Sequence, residues 1–190
     1  MRRIVIGITG ASGSIYGYRT LLALSGSGAE THLVMSDQAR RTIELETDKS
    51  AHDFEALATH VHRDDDLAAS ISSGSFVTDG MLVIPCSIKS AAAIAYSLNS
   101  NLLVRAADVC LKERRRLVLA VRETPLHLGH LRTLAQLAET GAVILPPVPA
   151  MYAAPRTIDD IVDHTVGKAL DQFAVPHTLF RRWSTPNSSR

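Results

Sequence analysis

The sequence predicts one α/β domain, a mainly parallel sheet covered by helices on both faces. Short apolar runs recur along the chain, at 3–8 (RIVIGI), 31–35 (THLVM), 81–84 (MLVI), 116–121 (RLVLAV) and 142–145 (AVIL). Segments with helical spacing or helix-cap signals separate them, and strands alternating with helices build parallel sheets. A length of 190 residues suits a single domain, since about 100–200 residues is the usual size. The domain is expected over 1–183, followed by a polar tail over 184–190.

Each element has its own reason. The run 3–8 is β-branched without polar interruption, the pattern of a strand buried on both faces. A small-residue loop, Thr9–Ser14, leads into a helix at Tyr16–Leu24 that stops in Ser-Gly-Ser-Gly. The second strand, 31–35, is followed by a helix at Asp37–Leu45. The stretches 53–58 and 65–69 are short and polar and predict little. The third strand, 81–84, is expected to stop at Pro85, which cannot donate to a ladder. Helices follow at Ser90–Ser97 and Leu102–Glu113, then the fourth strand at 116–121. Apolar residues at 128, 131, 134 and 138 have helical period, and Gly141 stops that helix. After the fifth strand comes a helix over Ile158–Phe173, with Thr157 and Asp160 in N-cap spacing.

Composition excludes several classes. Hydrophobic residues are 46% and charged residues 21%, a globular balance that rules out disorder of the whole chain. Net charge is +1, which gives no general surface for polyanions, and aromatics at 5% are too few for a base-stacking platform. No nucleic-acid partner is expected. Cys86 and Cys110 lack metal or redox spacing and sit among apolar neighbours, so both read as buried thiols of a reducing compartment. The N-terminal MRRIVIGITG has too short an apolar run for a signal peptide, and no run is long enough to span a membrane. A cytoplasmic protein is expected.

In open parallel sheets ligands sit beyond the carboxyl ends of the strands, so the chemistry is sought in the loops there. The first, TGASGS, permits close backbone approach and ends at a helix start, which favours an anion. It matches neither GxGxxG nor a P-loop; a phosphate-bearing ligand and a turn for tight helix packing are both open. In IPCSIKS, Ser87 and Ser90 flank Lys89 at another helix start, which suits an anion or a ribityl chain, or simply an N-cap. Arg122 and Glu123 directly follow a buried strand, as an acid–base pair or as a salt bridge. The proline-rich PPVPAMYAAP stiffens a rim that ends near Tyr152. His60-x-His62 with Asp64–Asp66 is read as a solvated segment rather than a metal site, and His127 with His130 as surface residues. No metal is expected.

Taken together, GITGASG (7–13), ELETD (44–48), SSGSFVTDGMLVIPCSIKS (72–90), RAADVCLKERRRLVLAVRETPL (105–126), GAVILPPVPAMY (141–152), DDIVDHTVGKALD (159–171) and RRW (181–183) resemble the UbiX/Pad-type flavin prenyltransferases. The resemblance runs from about residue 3 to 183. It implies a flavodoxin-like Rossmann fold, and an enzyme that joins the dimethylallyl group of dimethylallyl phosphate to N5 and C6 of reduced FMN. The prenylated FMN would serve a partner UbiD-type aromatic acid decarboxylase. It also implies a homo-oligomer, a dodecamer with active sites between subunits.

Carried over residue by residue, the resemblance puts FMN against Gly10, Ala11, Ser12, Ser36, Ser87, Ile88, Lys89, Ser90 and Arg122. Tyr152 and Lys168 would hold the dimethylallyl phosphate, with Lys112 and Arg105 adding positive charge near the phosphates. Glu46 and Glu123 would be the acidic pair at the reacting centre, with Ser12 beside them and Trp183 closing the pocket. Lys168 stands where many members carry Arg, so a bidentate phosphate fork is lost while the charge is kept. A cysteine-peptide decarboxylase on the same scaffold would carry an early catalytic His, which the first helix lacks. A non-catalytic FMN-binding carrier subunit remains the alternative.

Overall fold

The computed structural model describes residues 2–183, and the polar tail expected over 184–190 lies outside them. Six strands form one all-parallel sheet: β1 (Arg3–Ile8), β2 (Glu30–Met35), β3 (His60–Arg63), β4 (Gly80–Cys86), β5 (Arg116–Val121) and β6 (Val143–Ile144), in the order β3-β2-β1-β4-β5-β6. The order reverses between β1 and β4, so the loops after these two strands part over the sheet. That is the crevice in which such folds bind ligands.

Strand alternation sorts the core into two layers. Ile4, Ile6 and Ile8 face one side, where they pack with helices α1 (Ser14–Ser25), α2 (Asp37–Glu46), α3 (Ala51–Glu55) and α7 (Ile158–Asp171) through Leu21, Ile43, Phe54 and Val166. Val5, Met81, Val83 and Leu119 face the other, against α4 (Ile88–Ala95), α5 (Leu102–Lys112) and α6 (Leu128–Glu139). Both faces are dry, which is why β1, β4 and β5 read as unbroken apolar runs rather than alternating ones.

Gly17 sets the distance of α1 from the sheet. A Cβ there would lie 2.8 Å from Ile8 Cδ1 and 2.9 Å from the Ile84 carbonyl oxygen, so only glycine lets the helix settle onto β1 and β4. At its far end α7 starts as expected: Thr157 Oγ1 accepts the Asp160 N–H, and the Asp160 carboxylate accepts the Thr157 N–H, a reciprocal cap. Cys86 and Cys110 are free and buried, and burial pushes both thiols up to about 12.

Two expectations change. Residues 60–63, read as structureless and polar, form the edge strand β3. An edge strand with exposed side chains needs no apolar run, so periodicity could not reveal it. The strand at 81–84 does not stop at Pro85 but continues to Cys86, with a register shift against β5 between Val83 and Cys86. The missing proline donor is absorbed by that irregularity.

Candidate active site

A cleft of about 750 Å³ opens over the β1/β4 crevice. Gly10 from the β1 loop, Ser36 from the β2 loop, Ser87 from the β4 loop, and Lys89 and Ser90 from the first turn of α4 line it. Arg63, Asp64 and Asn101 line it as well. Two helices begin at its wall. Ser36 caps α2, its Oγ accepting the Ala39 N–H at 3.2 Å, and Ser87 caps α4, its Oγ accepting the Ser90 N–H at 3.2 Å. Two helix starts, Lys89 and several hydroxyls turn positive potential and donors toward the same space.

Thr9 joins the two central loops. It is buried at the end of β1, its Oγ1 donating to the Pro85 carbonyl at 2.9 Å and accepting the Ser87 N–H at 2.7 Å. The sequence reading missed it; the available signal was a lone polar residue closing an apolar strand. Gly10 is required for contact with α2, since a Cβ there would lie 2.5 Å from Gln38 Cβ.

Glu46 is drawn to this region from the far end of α2. Its Oε2 accepts the Gly13 N–H at 2.8 Å, the Ser14 N–H at 3.0 Å and the Ser14 hydroxyl at 3.0 Å. Burial pushes the carboxyl up, but bonds from the Ser12 side chain, the Ser14 and Gly13 amides and the Ser14 hydroxyl outweigh it. The net position is below the ordinary glutamate range. The anion at the start of α1 is therefore the protein's own carboxylate. The amides of Gly13 and Ser14, at a helix start read as favouring an anion, are engaged by it.

The other expected residues lie elsewhere. Ala11 is buried and Ser12 exposed beside Glu46, and Ile88 opens α4. Arg122 and Glu123 follow β5 beside the β4 loop, the Arg122 N–H donating to the Cys86 carbonyl at 3.0 Å. Glu123 Oε1 accepts the Thr124 N–H at 3.0 Å. Tyr152 donates to or accepts from His164 Nε2 at 3.1 Å and meets Trp183 edge-on, ring centroids 5.5 Å apart. His164 stands one turn before Lys168 on α7 and is buried, while Lys168 is exposed. Burial, then the nearby Lys168 charge, lowers the His164 pKa. No sequence signal marked His164, because it lies within an ordinary helical stripe.

Within one chain, two expected contributors do not reach the cleft. Lys112 ends α5 and pairs with Glu113, whereas Asn101, which caps the start of that helix, lines the cleft. At 1.5 Å per residue the helix carries Lys112 about 15 Å away. Arg105 is turned to the Ser72 carbonyl and to Asp108, at 3.1 and 3.0 Å. α5 runs away from the ligand end of the sheet, so neither side chain lines the cleft of its own chain. Arg122, Glu123, Tyr152, Lys168 and Trp183 also do not line this cleft.

The cleft fits FMN in kind: a space at the switch point with serine hydroxyls, helix starts and a cation for a phosphate. An α/β protein with this crevice is, by fold and site, a ligand-binding protein of the doubly wound class. The family model "Flavoprotein" matches residues 1–170. The chain is 60% identical over 188 residues to the flavin prenyltransferase UbiX of Thauera aromatica, covering 99% of this chain and 96% of that one. Its fold matches a crystal structure of AnUbiX in complex with FMN and dimethylallyl pyrophosphate, with a TM-score of 0.96 and 49% identity. That match covers 98% of this chain and 99% of the other. It also matches a dodecameric FMN-dependent Ubix-like decarboxylase from Escherichia coli O157:H7, with a TM-score of 0.94, 50% identity, and 96% and 100% coverage. The chain belongs to the flavoprotein family and, within it, to the UbiX flavin prenyltransferases.

Proposed function

We propose that this chain is a flavin prenyltransferase, joining the dimethylallyl group of dimethylallyl phosphate to N5 and C6 of reduced FMN. The observation that carries the reading is the cleft at the β1/β4 crevice, in a chain that aligns over nearly its whole length with named flavin prenyltransferases. The flavin supplies the electron-rich ring that accepts the prenyl group. Gly10, Ala11, Ser12, Ser36, Ser87, Ile88, Lys89, Ser90 and Arg122 hold it, with the α2 and α4 starts taking its phosphate.

Cleaving an allylic C–O bond leaves negative charge on phosphate. Tyr152 and Lys168, supplemented by Lys112 and Arg105, stabilise that charge by position. The scatter of these side chains around one chain supports a site completed by other copies, in keeping with the dodecameric relative. Trp183, exposed at the end of the described residues, then closes a pocket on a neighbour. Glu46, whose carboxylate accepts from four donors, and Glu123 take the protons. The product goes to a UbiD-type aromatic acid decarboxylase, and the protein works in the cytoplasm. Among the described residues no helix is long and apolar enough to cross a membrane.

The test is anaerobic incubation of the protein with reduced FMN and dimethylallyl phosphate, with the diphosphate in parallel, and a mass spectrum of the released flavin. A gain of one isoprenyl unit is expected. Bound but unmodified FMN with both donors would leave a carrier subunit instead. Glu46→Gln and Glu123→Gln separate the same two roles: a catalyst loses product and keeps FMN, whereas a carrier keeps its ability to activate the decarboxylase.

A further inference from the structure

Away from the cleft, at the edge of the sheet, three metal-ligand side chains converge. Glu30 and His32 are two apart on β2 and so share a face, and His60 on β3 pairs with His32 in parallel register. Glu30 Oε1 lies 3.0 Å from His32 Nε2 and 3.6 Å from His60 Nε2, and the three atoms all lie within 4.8 Å of one another. Bonds of about 2.0–2.2 Å in a tetrahedral zinc site set ligand atoms roughly 3.3–3.5 Å apart, so the Glu30 oxygen already stands near the required separation from both imidazoles. Their rings are stacked, centroids 4.6 Å apart and planes 29° from parallel.

We propose that Glu30, His32 and His60 form a binding site for a divalent transition-metal ion, zinc in the first instance, that staples the edge strand β3 to β2. Two imidazoles and a carboxylate are the donor set zinc takes, with water in the remaining position. The surroundings fit. The His32 side chain is only 4% exposed and is fixed by His62, whose Nε2 lies 2.9 Å from His32 Nδ1. Without metal the Glu30 carboxylate accepts the His32 Nε2–H and Nδ1 accepts from His62; a metal at Nε2 takes the other tautomer, in which Nδ1–H donates to His62, the outer-shell arrangement usual for histidine ligands. The His60 side chain is 52% exposed, which leaves an entry path from solvent.

Arg3 is the competitor. Its Nε donates to the same Glu30 oxygen at 2.8 Å, while its Nη1 bonds the Val77 carbonyl and its guanidinium lies over Phe76. A metal displaces only the first of these contacts, and the second carboxylate oxygen is there to receive it. In sequence the HxH pair at 60–62 stands alone, and only the parallel register adds His32 and Glu30 while assigning His62 to the outer shell.

The experiment uses full-length, tag-free protein freed of metal with a chelator. Zinc is titrated calorimetrically, and cobalt(II) by its visible absorption. One equivalent per chain is expected, with the intense bands of low-coordinate cobalt and a zinc-dependent rise in Tm. His60→Ala, at an exposed edge position, should weaken zinc at least tenfold and abolish the rise in Tm. His62→Ala should weaken it about 10–100-fold as an outer-shell loss. No binding to wild type, or equal affinity in wild type and His60→Ala, overturns the proposal. Loss on His127→Ala instead assigns the metal to the His127–His130 pair, whose ring centroids are 3.6 Å apart, and also overturns it. Flavin prenylation plays no part in the readout.

Discussion

Replacing Thr9 by valine tests whether the β1 and β4 loops act as one unit. Valine keeps the shape and removes the hydroxyl. The Pro85 carbonyl retains a second donor, the Thr9 N–H at 3.2 Å, whereas the Ser87 N–H loses its acceptor. An orphaned buried donor costs about 1–3 kcal/mol. Ser87 is only half-buried, so water recovers part of the loss and about 1–2 kcal/mol is expected. For a chain of this size that lowers Tm by roughly 2–4 °C per kcal/mol. The freed loop also carries Ser87 and leads into the first turn of α4, which holds Lys89 and Ser90. Loss of one well-placed bond to the FMN phosphate, about 1.4 kcal/mol, weakens FMN roughly tenfold. Thermal unfolding and titration of flavin fluorescence measure the two effects, and Thr9→Ser should restore both. A valine variant with Tm and FMN affinity indistinguishable from wild type would refute the coupling.

Three further outcomes follow from the same geometry. Because the Glu46 carboxyl lies below its ordinary range, its bonds to Gly13 and Ser14 are complete above the unfolded glutamate pKa and are lost only as pH falls through the lowered folded value. The acid limb of the prenylation pH profile should therefore lie below the usual carboxylate range, and Glu46→Gln should abolish that limb together with most of the product. His164→Ala removes the partner of Tyr152; steady-state kinetics should show a raised KM for dimethylallyl phosphate, roughly tenfold for a bond of about 1 kcal/mol or slightly more, with His164→Asn intermediate. Gly17→Ala forces a methyl group against Ile8 and the Ile84 carbonyl. Overpacking of this kind costs about 1–3 kcal/mol, measurable by urea denaturation.

The legible part of this protein was its apolar skeleton. β1 and β5 came out at their observed bounds, and α7 at its observed start, because dry strands are continuous apolar runs and because Thr157 and Asp160 cap each other locally. The family was legible too, from motif strings spread along the chain that the relatives bear out. β3 was not legible: its side chains are mostly exposed, so its pairing with β2 leaves no periodic trace. Tertiary structure alone decided which anion sits on the Gly13 and Ser14 amides, because Glu46 reaches them from 33 and 32 positions away in sequence. It also decided that α5 points Lys112 away from the cleft of its own chain, and that parallel register sets His60 beside His32 and Glu30. Local patterns record what each segment buries. Which polar groups meet is set by strand order and register, and these are properties of the whole chain.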